Sequence, residues 1–175
     1  MTTEKKDFEI TIPDSPDWPN RVSEKAFINA KLYGSCTQSI FSVFLEEFQI
    51  DDPLLIRAAG AMHVGMLTSL TCGIHSAAMM VFGLVMGREN LKSGHDGLIP
   101  IMGPGQHLVG RITDTIGGHS CLSLSGTDFS DLNQAIAFRG SKAAEKCLYR
   151  MKNGAGEIAR FLQEMSQKGE IFRFA

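Results

Sequence analysis

The chain of 175 residues contains no Cys-x-x-Cys pair, since at least 25 residues separate its four cysteines, Cys36, Cys72, Cys121 and Cys147. That absence excludes zinc knuckles and thioredoxin-type motifs, and the lack of Cys-x-x-Cys-His excludes covalently attached c-type haem. Neither sign of charge is in excess: 17 Lys and Arg face 19 Asp and Glu, a formal charge of -2. Nothing therefore draws the protein to phosphate backbones, and nucleic-acid binding is not expected. Met1–Asp7 is polar and charged and has no apolar leader core, so the expected location is cytoplasmic, where thiols stay reduced. The glycine clusters at Gly103-Pro104-Gly105 and Gly117-Gly118 lack the lysine and the strand-to-helix setting of a phosphate-binding loop. Internal repeats and low-complexity tracts are absent too.

The longest uncharged run, between Arg57 and Arg88, raises the question of a membrane span. Thr68, Ser69, Thr71, His75 and Ser76 interrupt it, and a turn near Thr68–Gly73 leaves pieces shorter than the roughly 20 residues a span requires. A helix buried in a bundle or a dimer is the expected outcome.

What is present is mostly helical periodicity. Ser23 caps a stretch with apolar residues at Ala26, Phe27, Ala30, Ile40, Phe41, Phe44 and Phe48, which predicts one long helix interrupted at Gly34. Asp51-Asp52-Pro53 marks a second start, ending near Gly65; a third helix, apolar nearly all round, spans Cys72 to Met86. A long connection from Glu89 to Gly105 leads to a short helix over Gln106–Ile116. Cys121 falls in an irregular, Ser- and Gly-rich loop, Ser130 or Asp131 caps the next helix, and a terminal helix runs over Ser141–Gln167 with Gly154 and Gly156 as a kink. The prediction is an all-α, single-domain bundle of about five or six helices that pairs as a homodimer. Residues 1–22 form an extended arm, 23–168 the four-cysteine domain and 169–175 a tail.

Four separate elements thus carry one cysteine each. Four soft sulfur ligands brought together suit an iron–sulfur cluster or a tetrahedral metal, whereas four isolated thiols would be small buried hydrophobes. The order GSCTQSIFSVFLEEFQI, TCGIHSAAMMVFGLVMGRE, SCLSLSGTDFSD and AAEKCLYRMKNGAGEIARFL resembles the C-GCAxxG-C-C family of redox proteins over about Ala30–Gln163. The resemblance implies redox-active or cluster-binding thiols at Cys36, Cys72, Cys121 and Cys147. It also implies kinship with the domain of split-Soret cytochromes, dimeric proteins associated with haem and an iron–sulfur centre, although haem itself does not carry over. In the signature, Cys72-Gly73-Ile74-His75-Ser76-Ala77 stands where the family has Cys-Gly-Ala-x-x-Gly, and the two enlarged positions are expected to narrow a ligand pocket or shift a helix.

Cys72 is expected to open a helix, where the dipole and free amides favour a reactive thiolate. His75, three residues on, shares its helical face and is a candidate metal ligand or base; His119, two before Cys121, is a candidate local base. Three functions follow. The first is a redox or electron-transfer protein with an undefined electron partner, whose four cysteines bind an iron–sulfur cluster or other metal or cycle between thiol and disulfide. The second is a helical ligand-binding or assembly protein with structural cysteines. The third is a thiol-dependent enzyme with Cys72 as nucleophile and His75 as base.

Overall fold

The computed structural model describes residues 10–88 and 90–171, and these form eight α-helices. The outer parts of the expected arm and tail, residues 1–9 and 172–175, lie outside the described residues. The first expected helix is two. Helix α1 (Trp18–Tyr33) starts five residues before Ser23, with Pro19 in its first turn, and stops at Gly34 in the left-handed conformation (φ 73°). Ser35 then accepts from the Gln38 amide and opens α2 (Cys36–Glu47). The two helices fold back as a hairpin, so that Trp18 at the start of α1 meets Phe44 near the end of α2 edge-on at 6.0 Å. Glu47 closes the hairpin by accepting from the Trp18 indole and from Arg21 and Lys25.

Asp52 caps α3 (Pro53–Ala59) by accepting from the Leu54 amide. This helix ends well before Gly65, because a 3₁₀ turn at Gly60–Met62 gives way to Val64, Gly65, Met66 and Leu67, four successive left-handed residues. Helix α4 (Gly73–Met86) follows and packs against α2, α5 and α8. Its inner face buries Ala77, Ala78, Val81 and Phe82. Helix α5 (Ile99–Ile116) takes in the last part of the expected connection, from Ile99 on: Pro100 is tolerated in its first turn, where its missing amide has no helical partner, and Gly117 caps its end.

Helices α6 (Cys121–Ser125) and α7 (Leu132–Phe138) are short, the second capped by Asp131. Helix α8 (Lys142–Gln167) is continuous through Gly154 and Gly156. Those glycines admit neighbours instead of kinking the helix: a Cβ on Gly154 would stand 2.5 Å from Ile74 Cγ2, and one on Gly156 2.5 Å from Ser23 Oγ. Helix α1 packs along α8, and the arm is tied to the same helix by Gln163, which donates to the carbonyls of Pro13 and Ser15 at 2.8 Å. No helix among the described residues is long and apolar enough to cross a membrane.

Candidate functional site

Three of the four cysteines stand at helix starts. Cys36 is the first residue of α2, Cys72 immediately precedes α4, and Cys121 is the first residue of α6, held by Ser120, whose hydroxyl accepts from the Ser123 amide. Cys147 projects from the second turn of α8. Cys121 is therefore a buried residue at a helix start and not the loop cysteine expected. A non-local pairing brings it to Cys72: Thr71 and Ser120 bridge antiparallel, the Cys72 amide donates to the His119 carbonyl at 2.9 Å, and the Cys121 amide donates to the Leu70 carbonyl at 2.6 Å. The α2 and α4 starts are joined by the Thr37 hydroxyl, which donates to the Gly73 carbonyl.

All four cysteines line a single cavity of about 80 Å³, several times the roughly 10–15 Å³ one water needs in the same measure. They are free thiols, and within every pairing of the four the charge of one thiol raises the pKa of the other. Ile74, Leu124, Phe129, Phe138 and Met151 supply apolar walls, and Arg150 supplies a cation. Close-packed interiors leave few voids larger than a water. The cavity is partly open, with Cys36 and Cys147 part-exposed at it.

Burial dominates the acid–base behaviour of these thiols. Cys72 is pushed up to about 12, first by loss of solvent and then by the other three sulfurs; the amide of Ile74 opposes this without overcoming it. Cys121 is pushed up to about 11 for the same first reason. Cys36 and Cys147 are also raised by burial. The expectation that a helix start makes Cys72 a ready thiolate is thus corrected, because desolvation outweighs the dipole. Hydrogen bonds nevertheless reach the sulfurs: the backbones of Val64 and Thr37 and the Thr37 hydroxyl favour charge on Cys36, and Arg150 favours it on Cys147.

His75 does not join the cavity lining. It is buried, its Nε2 lies 3.0 Å from Thr113 Oγ1, and its ring packs edge-on against His119 at 4.6 Å. Because the Thr113 hydroxyl donates to the Val109 carbonyl, Nε2 carries the proton, and Nδ1 is left without a hydrogen-bond partner. Burial, then the neighbouring His119, lowers its pKa to about 4. The Cys72–His75 nucleophile-and-base pair has no support in this arrangement, and His119 faces His75.

Among the described residues, no three of the His, Cys, Asp and Glu side chains are grouped to hold a metal ion. A lone tetrahedral ion does not fit the sulfurs as they stand. An iron–sulfur cluster asks for something else, four thiolates held apart around an inorganic body, and the four thiols around a void suit it in donor type and number. Ile74, one of the enlarged signature positions, forms part of the cavity wall and is accommodated by Gly154. Arg150 and Val64 were not foreseen. Arg150 had a signal, its position three residues after Cys147 on one helix face; Val64 had none, since a left-handed β-branched residue is against its own preference.

A family model described as "Putative redox-active protein (C_GCAxxG_C_C)" matches residues 34–164, a span that includes all four cysteines. The chain belongs to the C_GCAxxG_C_C family. No curated protein and no solved structure matches it. The fold gives the family's Cys-Gly step a physical meaning in this chain: a Cβ on Gly73 would collide with Cys36 Sγ and stand 2.7 Å from Thr37 Oγ1, so the glycine lets the α2 cysteine approach the start of α4.

Proposed function

We propose that this C_GCAxxG_C_C protein is an electron-transfer protein whose Cys36, Cys72, Cys121 and Cys147 hold an iron–sulfur cluster. The observation that carries the reading is the void bounded by all four thiols. Such a group, when bound, supplies reversible one-electron transfer at a potential set by charge, hydrogen bonds to sulfur and solvent exposure. The chain supplies the rest. The starts of α2 and α4 carry the positive end of the helix dipole to Cys36 and Cys72, the Val64 and Thr37 backbones donate to Cys36, and the apolar walls keep water away. The reading includes a homodimer, supported by Ile28 and Leu32, exposed one turn apart on α1, together with an electron partner in the cytoplasm.

A second reading is favoured by the absence of a grouped ligand set among the described residues. Here two of the thiols close a disulfide, releasing two protons and passing two electrons to the disulfide of a partner, which leaves as two thiols. Protein prepared without oxygen separates the two. Visible charge-transfer absorption with iron and acid-labile sulfide in each chain is the expected result; colourless, iron-free protein whose titratable thiols fall by two on oxidation would establish the disulfide couple instead.

A further inference from the structure

Arg150 is the charged side chain in the lining of the cysteine cavity. Its placement is fixed from two sides: Nε donates to the Ile116 carbonyl at 3.1 Å, and Nη1 donates to the Leu124 carbonyl at 2.9 Å. Those carbonyls come from the end of α5 and from α6, so the guanidinium is clamped between three elements. Its charge also favours the thiolate of Cys147, one helical turn before it. The ion pairs of the described residues join Arg21, Lys25, Arg111, Lys152 and Arg160 to carboxylates, and none involves Arg150. Two neutral carbonyls orient this cation without neutralising it, which leaves its charge at the wall of the cysteine cavity, where it favours the thiolate of Cys147.

We propose that Arg150 sets the reduction potential of the cysteine pocket, its fixed charge stabilising the reduced, more negative state. The inference rests on the redox reading above and deepens it. An electron added to a cluster held by the four thiolates lowers its energy beside a cation, so removal of the charge makes the pocket harder to reduce in that form; a disulfide couple, which takes up two protons with its two electrons, gives neutral thiols and would not follow the charge. A purely structural Arg150 would act through the two carbonyls it clamps, and its loss would alter stability without following charge.

Two substitutions separate these roles. Arg150→Gln keeps a donor and loses the charge; Arg150→Lys keeps the charge and loses the fork. In anaerobic potentiometric titrations, Arg150→Gln is expected to shift the equilibrium toward the oxidised state about tenfold or more, a fall of about 59 mV for a one-electron couple. Arg150→Lys is expected to stay near the wild-type midpoint, with circular dichroism reporting that both variants are folded. A Gln variant with the wild-type midpoint, or a Lys variant that falls as far as Gln, overturns the proposal. Should Arg150→Gln fail to fold, the Lys variant alone decides, a wild-type midpoint supporting the charge and a tenfold shift refuting it. A wild-type protein with no reversible couple overturns the redox reading itself, an outcome visible before any variant is compared.

Discussion

Alanine at Gly73 is expected to disrupt the cysteine pocket while Gly83→Ala, in the same helix, is harmless. Gly73 is already helical, so alanine there would ordinarily help by reducing the freedom of the unfolded chain. The added methyl, however, would collide with Cys36 Sγ and press on the Thr37 hydroxyl, the group that ties α2 to α4. Forcing a methyl into packed space costs about 1–3 kcal/mol. Here relief of the collision displaces Cys36, so the redox signal should fall together with stability. Nothing lies within 4 Å of a Cβ on Gly83, and alanine there should be neutral or add about 0.5–1 kcal/mol. Chemical denaturation and anaerobic redox titration of both variants check this contrast; equal behaviour of the two would show that Cys36 does not depend on the Gly73 contact.

The largest loss of stability is expected at Glu47, far from the thiols. Its carboxylate is only 8% exposed and receives the Trp18 indole, Arg21 and Lys25, which join the two arms of the α1–α2 hairpin. Burial works to raise its pKa, yet the hydrogen bonds and charges of Arg21 and Lys25 hold it down at about 2, against an ordinary 4.5. A carboxylate with a depressed folded-state pKa adds stability that is complete above its unfolded value and is lost as pH falls through the folded one. Between about pH 4.5 and 2 the wild type should therefore lose about 3 kcal/mol from this group alone. Glu47→Gln should be less stable at pH 7 by about 2–4 kcal/mol, since it removes the carboxylate of Arg21 and leaves Lys25 with Glu46 alone, and should flatten the acid limb. Denaturant midpoints at pH 7 and at pH 3 measure both effects, and an unchanged acid limb in Glu47→Gln would assign the pH dependence to other groups.

Much of the fold was legible because it is local. Asp52-Pro53 and Asp131 act at the helix starts as their residue types suggested, and the apolar stripe of α4 is central as its composition implied. Errors arose where local rules compete. Gly34 ends one helix and Ser35 begins another, where the periodicity suggests a single helix interrupted at Gly34; Pro100 reads as part of a connection although a first-turn proline suits a helix. With α6 added as a short helix, these raise the number from five or six to eight among the described residues.

The site divides in the same way. Order and type of residue pointed to four cysteines as a unit, but their meeting depends on long-range geometry: the Thr71–Ser120 bridge, the Thr37–Gly73 hydrogen bond and the left-handed turn that carries Val64 to Cys36. Periodicity does not encode such pairings. Nor could it anticipate that burial would override the helix start at Cys72, because desolvation is set by Leu124, Phe129 and Met151, which arrive from other parts of the chain.

The central claim is that the four thiols act as one redox unit, and single replacement of each by alanine in an anaerobic redox titration tests it most directly. The expected result is a reversible couple in the wild type that is lost or displaced in Cys36→Ala, Cys72→Ala, Cys121→Ala and Cys147→Ala alike. A couple that persists unchanged in folded forms of all four variants, or that is missing from the wild type, would contradict the account.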